Sequence, residues 1–189
     1  HNPCGIIWTK DELAKIGALC RKYNVTVISD EIHCDITAPG KSYVPFAAAS
    51  KDCADISITC IAPTKCFNMA GLQTAAVMVP NKFLRHKVWR ALNTDEVAEP
   101  NAFAITAAVA AFTKGEPWLE ELRKYLWENR KTVCDFMAEN LPQIHVVDAD
   151  ATYLMWLDCS ALTDDSVAFT QMIREKTGLY LSEGAEFGG

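Results

Sequence analysis

Two rhythms alternate along the chain. In "WTKDELAKIGALCRKY", Thr9 followed by Glu12 forms a capping-box pattern, and Leu13, Ile16, Leu19 and Cys20 recur at helical spacing after it. That spacing predicts a helix from about Lys10 to Tyr23. "NVTVISDE" then gives a short β-branched run from Val25 to Ile28 that stops at Ser29 and Asp30, followed by the polar passage "TAPGKSYVP". This reads as a strand feeding a loop. "ADISITCIAP" and "LQTAAVMVP" read as two further strands, ended by Pro63 and Pro80. Strands this uniformly apolar are usually covered on both faces, which predicts an α/β layered sheet.

After Pro80 the pattern turns helical, through "NKFLRHKVWRAL", "PNAFAITAAVAAFTKG" and "EPWLEELRKYLWENRKTVCDFMAENLP". The last begins with Pro117 near its first turn and runs to Pro142, so it is predicted to be one long helix. Short strands are predicted at "IHVV" and "TYLMWLD", a helix at "DDSVAFTQMIREKTG" with Gly178 as its C-cap, and a final strand at "LYLS". Composition changes near Gly115. A boundary is expected there, dividing an α/β part, 1–115, from a smaller α+β part, 116–189.

At 189 residues, half of them hydrophobic, the chain can bury a sizeable core. No run approaches the roughly 18 apolar residues of a membrane helix, and no charged leader precedes an apolar segment, so no membrane partner is expected. A net charge of −6 without any basic stretch argues against nucleic acid and for small-molecule partners. The eight cysteines are scattered with no C-x-x-C pair, the pattern of reduced packing residues in a cytoplasmic protein rather than of a zinc site or a disulfide framework. The first residue is His1 and the last two are glycines; both ends are expected to be cut from something longer.

The stretch "ISITCIAPTKCFNMAGLQTAAVMV" sets Lys65 between two apolar runs. Asp30 ends one strand and Lys65 follows the next. In an open α/β sheet ligands bind outside the carboxyl ends of the strands. If the two strands pair, their ends lie about 5 Å apart, and an amine and a carboxylate can address opposite ends of one flat ligand. Pyridoxal phosphate suits that pair: a lysine forms a Schiff base with its aldehyde, and a carboxylate keeps its ring nitrogen protonated. On spacing alone, a surface lysine in a polar turn and a strand-terminal aspartate are the plainer reading.

The blocks "HNPCG", "SDEIHCD" and "APTKCFNMAGLQ", in that order, resemble the motifs of fold-type I pyridoxal-phosphate enzymes. More narrowly they are similar to the cystathionine β-lyase-like (MalY/PatB) branch of the class I/II aminotransferases, as are "PNAFAITAAVAAFTKGEPWLEEL" and "ATYLMWLD". The resemblance implies an aspartate aminotransferase-like fold: part of a three-layer α/β/α large domain over 1–115 and an incomplete small domain over 116–189. It implies that Lys65 is the Schiff-base lysine, Asp30 the partner of the pyridinium nitrogen and Asn2 a hydrogen-bond donor to the ring oxygen. His33 would stand beside the same oxygen, or only pack near it. Thr64 would contact the phosphate, or only cap its own turn. His1, His86 and His145 are expected to be bystanders. Two departures matter. Gln73 stands where aminotransferases carry a phosphate-gripping arginine, eight residues after the lysine, and it cannot supply the charge. The substrate-carboxylate arginine is expected beyond Gly189, and the N-terminal part of the enzyme is expected to be absent.

The implied activity is carbon–sulfur β-elimination from L-cystathionine, L-cysteine or another S-conjugate, with Lys65 as base, in a cytoplasmic homodimer. Transamination shares the same base and electron sink and is the alternative. A non-catalytic truncated segment is the second alternative.

Overall fold

The computed structural model describes residues 1–188. Helix α1, Lys10–Lys22, starts where the capping box places it: the Thr9 N–H donates to the Glu12 carboxylate at 2.8 Å and the Glu12 N–H to the Thr9 hydroxyl at 3.3 Å. Its packed face is Leu13, Gly17 and Cys20; Ile16 and Leu19, expected inside, are exposed. The expected stripe is rotated because the residue that meets the next helix layer is the small Gly17, buried against Cys53.

Strand β1, Val27–Asp30, runs parallel to β2, Ser57–Ile61, in a register that sets Asp30 opposite Cys60. Strand β3, Ala76–Met78, pairs antiparallel on the other side of β2. The three expected strands are present, with shifted bounds. β1 begins later than Val25 and includes Asp30; "ADI" belongs to a helix; β3 is preceded by a 3₁₀ turn, Ala70–Leu72. The crossover from β1 to β2 contains two short helices that the sequence pattern does not announce, α2 (Phe46–Ala49) and α3 (Lys51–Ile56), the latter capped by the Ser50 hydroxyl.

Leu13, Phe46, Ala49, Cys53 and Ile56 form a core from α1, α2 and α3, with Val27 against it. Coverage of both faces is not found among the described residues: Ile28, at 70% exposure, and Val77 face outward. The alternation of β1 explains this, since Val27 and Ser29 turn to the helices while Ile28 and Asp30 turn away.

Beyond the sheet lie α4 (Lys82–Thr94), α5 (Ala104–Lys114) and, as expected, one long helix α6 (Glu116–Asn140) with Pro117 in its first turn. The elbow at Gly115 is filled by a ring: a Cβ there would sit 2.4 Å from Phe67, which also meets Phe112 edge-on and Trp118. Helix α6 packs back on the first part of the chain, with Leu119 beside Ile36 and Cys66 and the Arg123 Nε donating to the Asp35 carbonyl at 2.8 Å. Two-residue strands β4 (His145–Val146) and β5 (Leu157–Asp158) pair antiparallel. Helix α7, Ser166–Thr177, is capped by Asp165 and ends at Gly178, φ 76°, as expected. The strand expected at "LYLS" is not formed: residues 179–182 have no β partner among the described residues, and a run this short needs one. No described helix is long and apolar enough to cross a membrane.

Candidate active site

The parallel pairing of β1 and β2 puts Asp30 at a strand end on the open face of the sheet, where its Oδ1 accepts the Ile32 N–H at 3.2 Å. The next residue points the opposite way. Glu31 is 4% exposed, and its carboxylate accepts the Ser29 hydroxyl at 2.9 Å and the Phe46 N–H at 3.1 Å, while its N–H donates to the Cys60 carbonyl. A buried carboxylate satisfied by neutral donors thus braces the loop that follows Asp30. Burial and the Glu31 charge together push the Tyr43 hydroxyl well above the usual phenol range.

Lys65 lies in the turn after β2, which closes with the Phe67 N–H on the Pro63 carbonyl and the Met69 N–H on the Thr64 carbonyl, both at 3.0 Å. Cys66 is buried with Ile36 and Leu119, and Phe67 fills the Gly115 elbow, so the residues after the lysine anchor the turn. Lys65 itself is exposed. The Cys34 and Cys66 thiols, each beside Asp35, are pushed up by burial to about 12, which leaves them poor nucleophiles.

The Asn2 turn, with its cis Asn2–Pro3 bond, closes through the Gly5 N–H on the His1 carbonyl at 2.7 Å. Gly5 has φ 71°, and a Cβ there would lie 2.3 Å from the Ala151 carbonyl oxygen, so this close approach requires glycine. The Gly5 carbonyl accepts the Asp150 N–H, the Asp150 carbonyl accepts the Ala38 N–H, and Ala151 bridges Thr37. One strap, 149–152, therefore holds both the Asn2 turn and the loop carrying His33.

His33 is the meeting point. Burial holds its pKa below the ordinary imidazole value, the Lys65 charge lowers it further, and Asp30 opposes. The β1–β2 register sets Asp30 beside the strand that leads into the Lys65 turn, Cys66 packs on Ile36 of the His33 loop, and the 149–152 strap ties in the first turn, so Asp30, His33, Lys65 and the first turn lie at one end of the sheet. Thr64 comes only as the neighbour of Lys65, and Gln73 ends the 3₁₀ turn in a left-handed conformation, exposed. His33 Nδ1 is buried without a hydrogen-bond partner. A carboxylate, an amine, an imidazole with a spare nitrogen and a turn amide form a donor set that fits a flat, protonatable heteroaromatic ring bearing an aldehyde and a ring oxygen. No cation at Gln73 meets a phosphate. Residues the sequence pattern did not single out are Glu31, which strand alternation after Asp30 would have turned inward, and Tyr153, whose ring lies 5.6 Å from that of His33.

The sequence model of the aminotransferase class I and II family matches residues 1–189. The chain belongs to that family. Among curated members it is 42% identical over 188 residues to cystathionine beta-lyase PatB of Bacillus subtilis, covering all of this chain and 49% of that protein. Cystalysin from Treponema denticola, a structure containing a pyridoxal 5'-phosphate cofactor, superposes with TM-score 0.94 at 31% identity, over 100% of this chain and 48% of that one. The PLP-bound C-S lyase from Staphylococcus hominis, in complex with L-cycloserine, superposes with TM-score 0.89 at 34% identity, over 100% and 46%. These neighbours establish a fold-type I architecture. The chain spans about half the length of the curated family members it matches.

Proposed function

We propose that this chain carries the lysine-bearing part of a pyridoxal-phosphate-dependent carbon–sulfur β-lyase, acting on an S-substituted cysteine such as L-cystathionine and yielding a thiol, pyruvate and ammonia. The observation that carries the reading is the parallel pairing of β1 with β2, which sets Asp30 beside the strand that runs into the Lys65 turn, with the His33 loop packed on that turn through Ile36 and Cys66. In this reading Lys65 would hold the cofactor, Asp30 would serve its ring nitrogen, Asn2 and His33 its ring oxygen, and Thr64 its phosphate. When bound, pyridoxal phosphate supplies an electron sink for the substrate Cα. As a free amine, Lys65 would take the Cα proton and return it to the departing sulfur, so that the Cα–H and Cβ–S bonds break as the Cα–Cβ double bond forms and the thiol leaves neutral; the resulting enamine, on addition of water, gives pyruvate and ammonia. Asp30 would favour the protonated ring nitrogen of the bound group. Similarity to a cystathionine β-lyase and to C-S lyases, with Gln73 in place of an arginine, supports elimination over transamination. The family resemblance extends the reading to a cytoplasmic homodimer divided into 1–115 and 116–189.

The test is covalent labelling. The protein is mixed with pyridoxal phosphate, reduced with borohydride, digested and examined by mass spectrometry. A pyridoxyl adduct on Lys65, lost in Lys65→Ala, is the expected result. Pyruvate should then form from cystathionine without any keto acid, and Lys65→Ala should lower that rate by about 10²–10⁴-fold. Dependence on an added keto acid would assign transamination instead. Adducts scattered over surface lysines with Lys65 spared would mark a segment without a site.

A further inference from the structure

We infer that Tyr153 is a positioning residue of this site: its ring fixes the His33 imidazole beside Asp30 and Lys65, and Thr152 is the turn that delivers it. The two rings lie 5.6 Å apart at 48°, although they come from distant parts of the chain. Their approach is enforced by the backbone. Ala151 bridges Thr37, and the Thr152 N–H donates to the Ile36 carbonyl at 2.8 Å. Thr152 is 4% exposed with φ 66°, a left-handed conformation that a β-branched residue keeps only where its surroundings impose it. Its hydroxyl accepts the Leu154 N–H at 3.0 Å and completes the turn. In an extended chain Ala151 and Tyr153 would share a face. The left-handed residue between them breaks that alternation and turns Tyr153 to His33.

His33 has reason to need such a partner. Its Nδ1 is buried and makes no hydrogen bond, so packing sets the orientation of the ring, and Tyr153 is the aromatic group packed on it. The charged side chains that act on His33 are Lys65 from the turn after β2 and Asp30 from the end of β1. Burial is the largest cause of the lowering, and the Tyr153 ring lies 5.6 Å from the imidazole. The unpartnered Nδ1 is left available as a hydrogen-bonding group beside the ligand. The inference rests on the reading that His33 addresses a bound ligand, but it can be tested without one.

The experiment is a proton NMR titration of the full chain, with the His33 ring signals identified by their loss in His33→Gln. Tyr153→Phe should leave the His33 midpoint and chemical shift in place. Tyr153→Ala should raise the midpoint toward the ordinary value of about 6.5. Tyr153→Leu should keep the chain folded yet remove the ring-current shift, and it decides the matter where Tyr153→Ala does not fold. Unmoved His33 signals in both Leu and Ala variants overturn the inference. Borohydride labelling of wild-type Lys65 reports separately on the proposed function, since its failure leaves the titration readable. In a chain that does label, Tyr153→Ala should weaken half-saturation by pyridoxal phosphate severalfold and Tyr153→Phe should not.

Discussion

The cluster of Leu13, Phe46, Ala49, Cys53 and Ile56 comes from one stretch of chain that ends where β2 begins, whereas Ile36, Cys66 and Leu119 come from three separate segments. The first supports one face of the sheet and makes the strands possible. The second lies under the His33 loop and the Lys65 turn and holds them against α6. Burial is the same physical term in both, but its consequences differ: loss of the first loosens the fold, and loss of the second loosens the site. Phe46→Ala is expected to cost about 3–5 kcal/mol, and Leu119→Ala about 2–5 kcal/mol. Urea unfolding of both variants checks the sizes, and hydrogen exchange checks the locations. Leu119→Ala should raise exchange around residues 33–36 and 65–68 more than around 57–61. Equal protection loss in β2 and the two loops would show that the clusters act as one.

Glu31 lies between the two regions, bonded to α2 through Phe46 N–H and to β2 through Cys60, one residue from Asp30. Glu31→Ala leaves the Phe46 N–H and the Ser29 hydroxyl without their acceptor, at a cost of about 1–3 kcal/mol. Glu31→Gln keeps an acceptor oxygen and should recover much of that loss. If Gln proves as damaging as Ala in a thermal melt, the charge rather than the hydrogen bonding holds the loop.

Gly115→Ala tests the same comparison from the side of α6. An added methyl meets the Phe67 ring and the Ala111 carbonyl at 2.4 Å, so the ring must leave the elbow, for about 1–3 kcal/mol. Because Phe67 belongs to the Lys65 turn, the disturbance should reach the second cluster and spare the first. Tryptophan fluorescence reports it, since Phe67 lies against Trp118.

The first region was easier to read in the sequence than the second. The start of α1 was legible because Thr9 and Glu12 form a purely local cap, and α6 because its pattern persists over seven turns' worth of chain without a breaker. The placement of Asp30 and Lys65 near adjacent strand ends was legible because strands stop at recognisable polar and Pro residues. Helices α2 and α3 were not, since "FAAASKDCADI" is too short and too rich in alanine to show a period. Tyr153 was not legible either. Its sequence reads as strand, and only the left-handed Thr152, set by the contacts of residues 149–152 with the first part of the chain, sends it to His33.

The smallest effect concerns pH. His33 is held below its ordinary pKa in the folded chain, first by burial and then by Lys65, so the unfolded chain binds its proton more readily. For a base with a lowered folded pKa, stability rises with pH between the folded value and the unfolded value of about 6.5, and is flat above it. Acidification through that window should therefore destabilise the wild-type chain slightly. The carboxylates contribute a slope of the same sign at lower pH, so the contribution of His33 is isolated by comparison with His33→Gln, which should show a shallower dependence just below the ordinary imidazole value of about 6.5. The imidazole is only partly buried and solvent screens the Lys65 charge, so the difference should be small. Salt discriminates between the causes. If burial dominates, added salt leaves the difference in slope in place; if the Lys65 charge dominates, high salt and Lys65→Ala each remove most of it, and the Tyr153 ring then matters less to His33 than the lysine across from it.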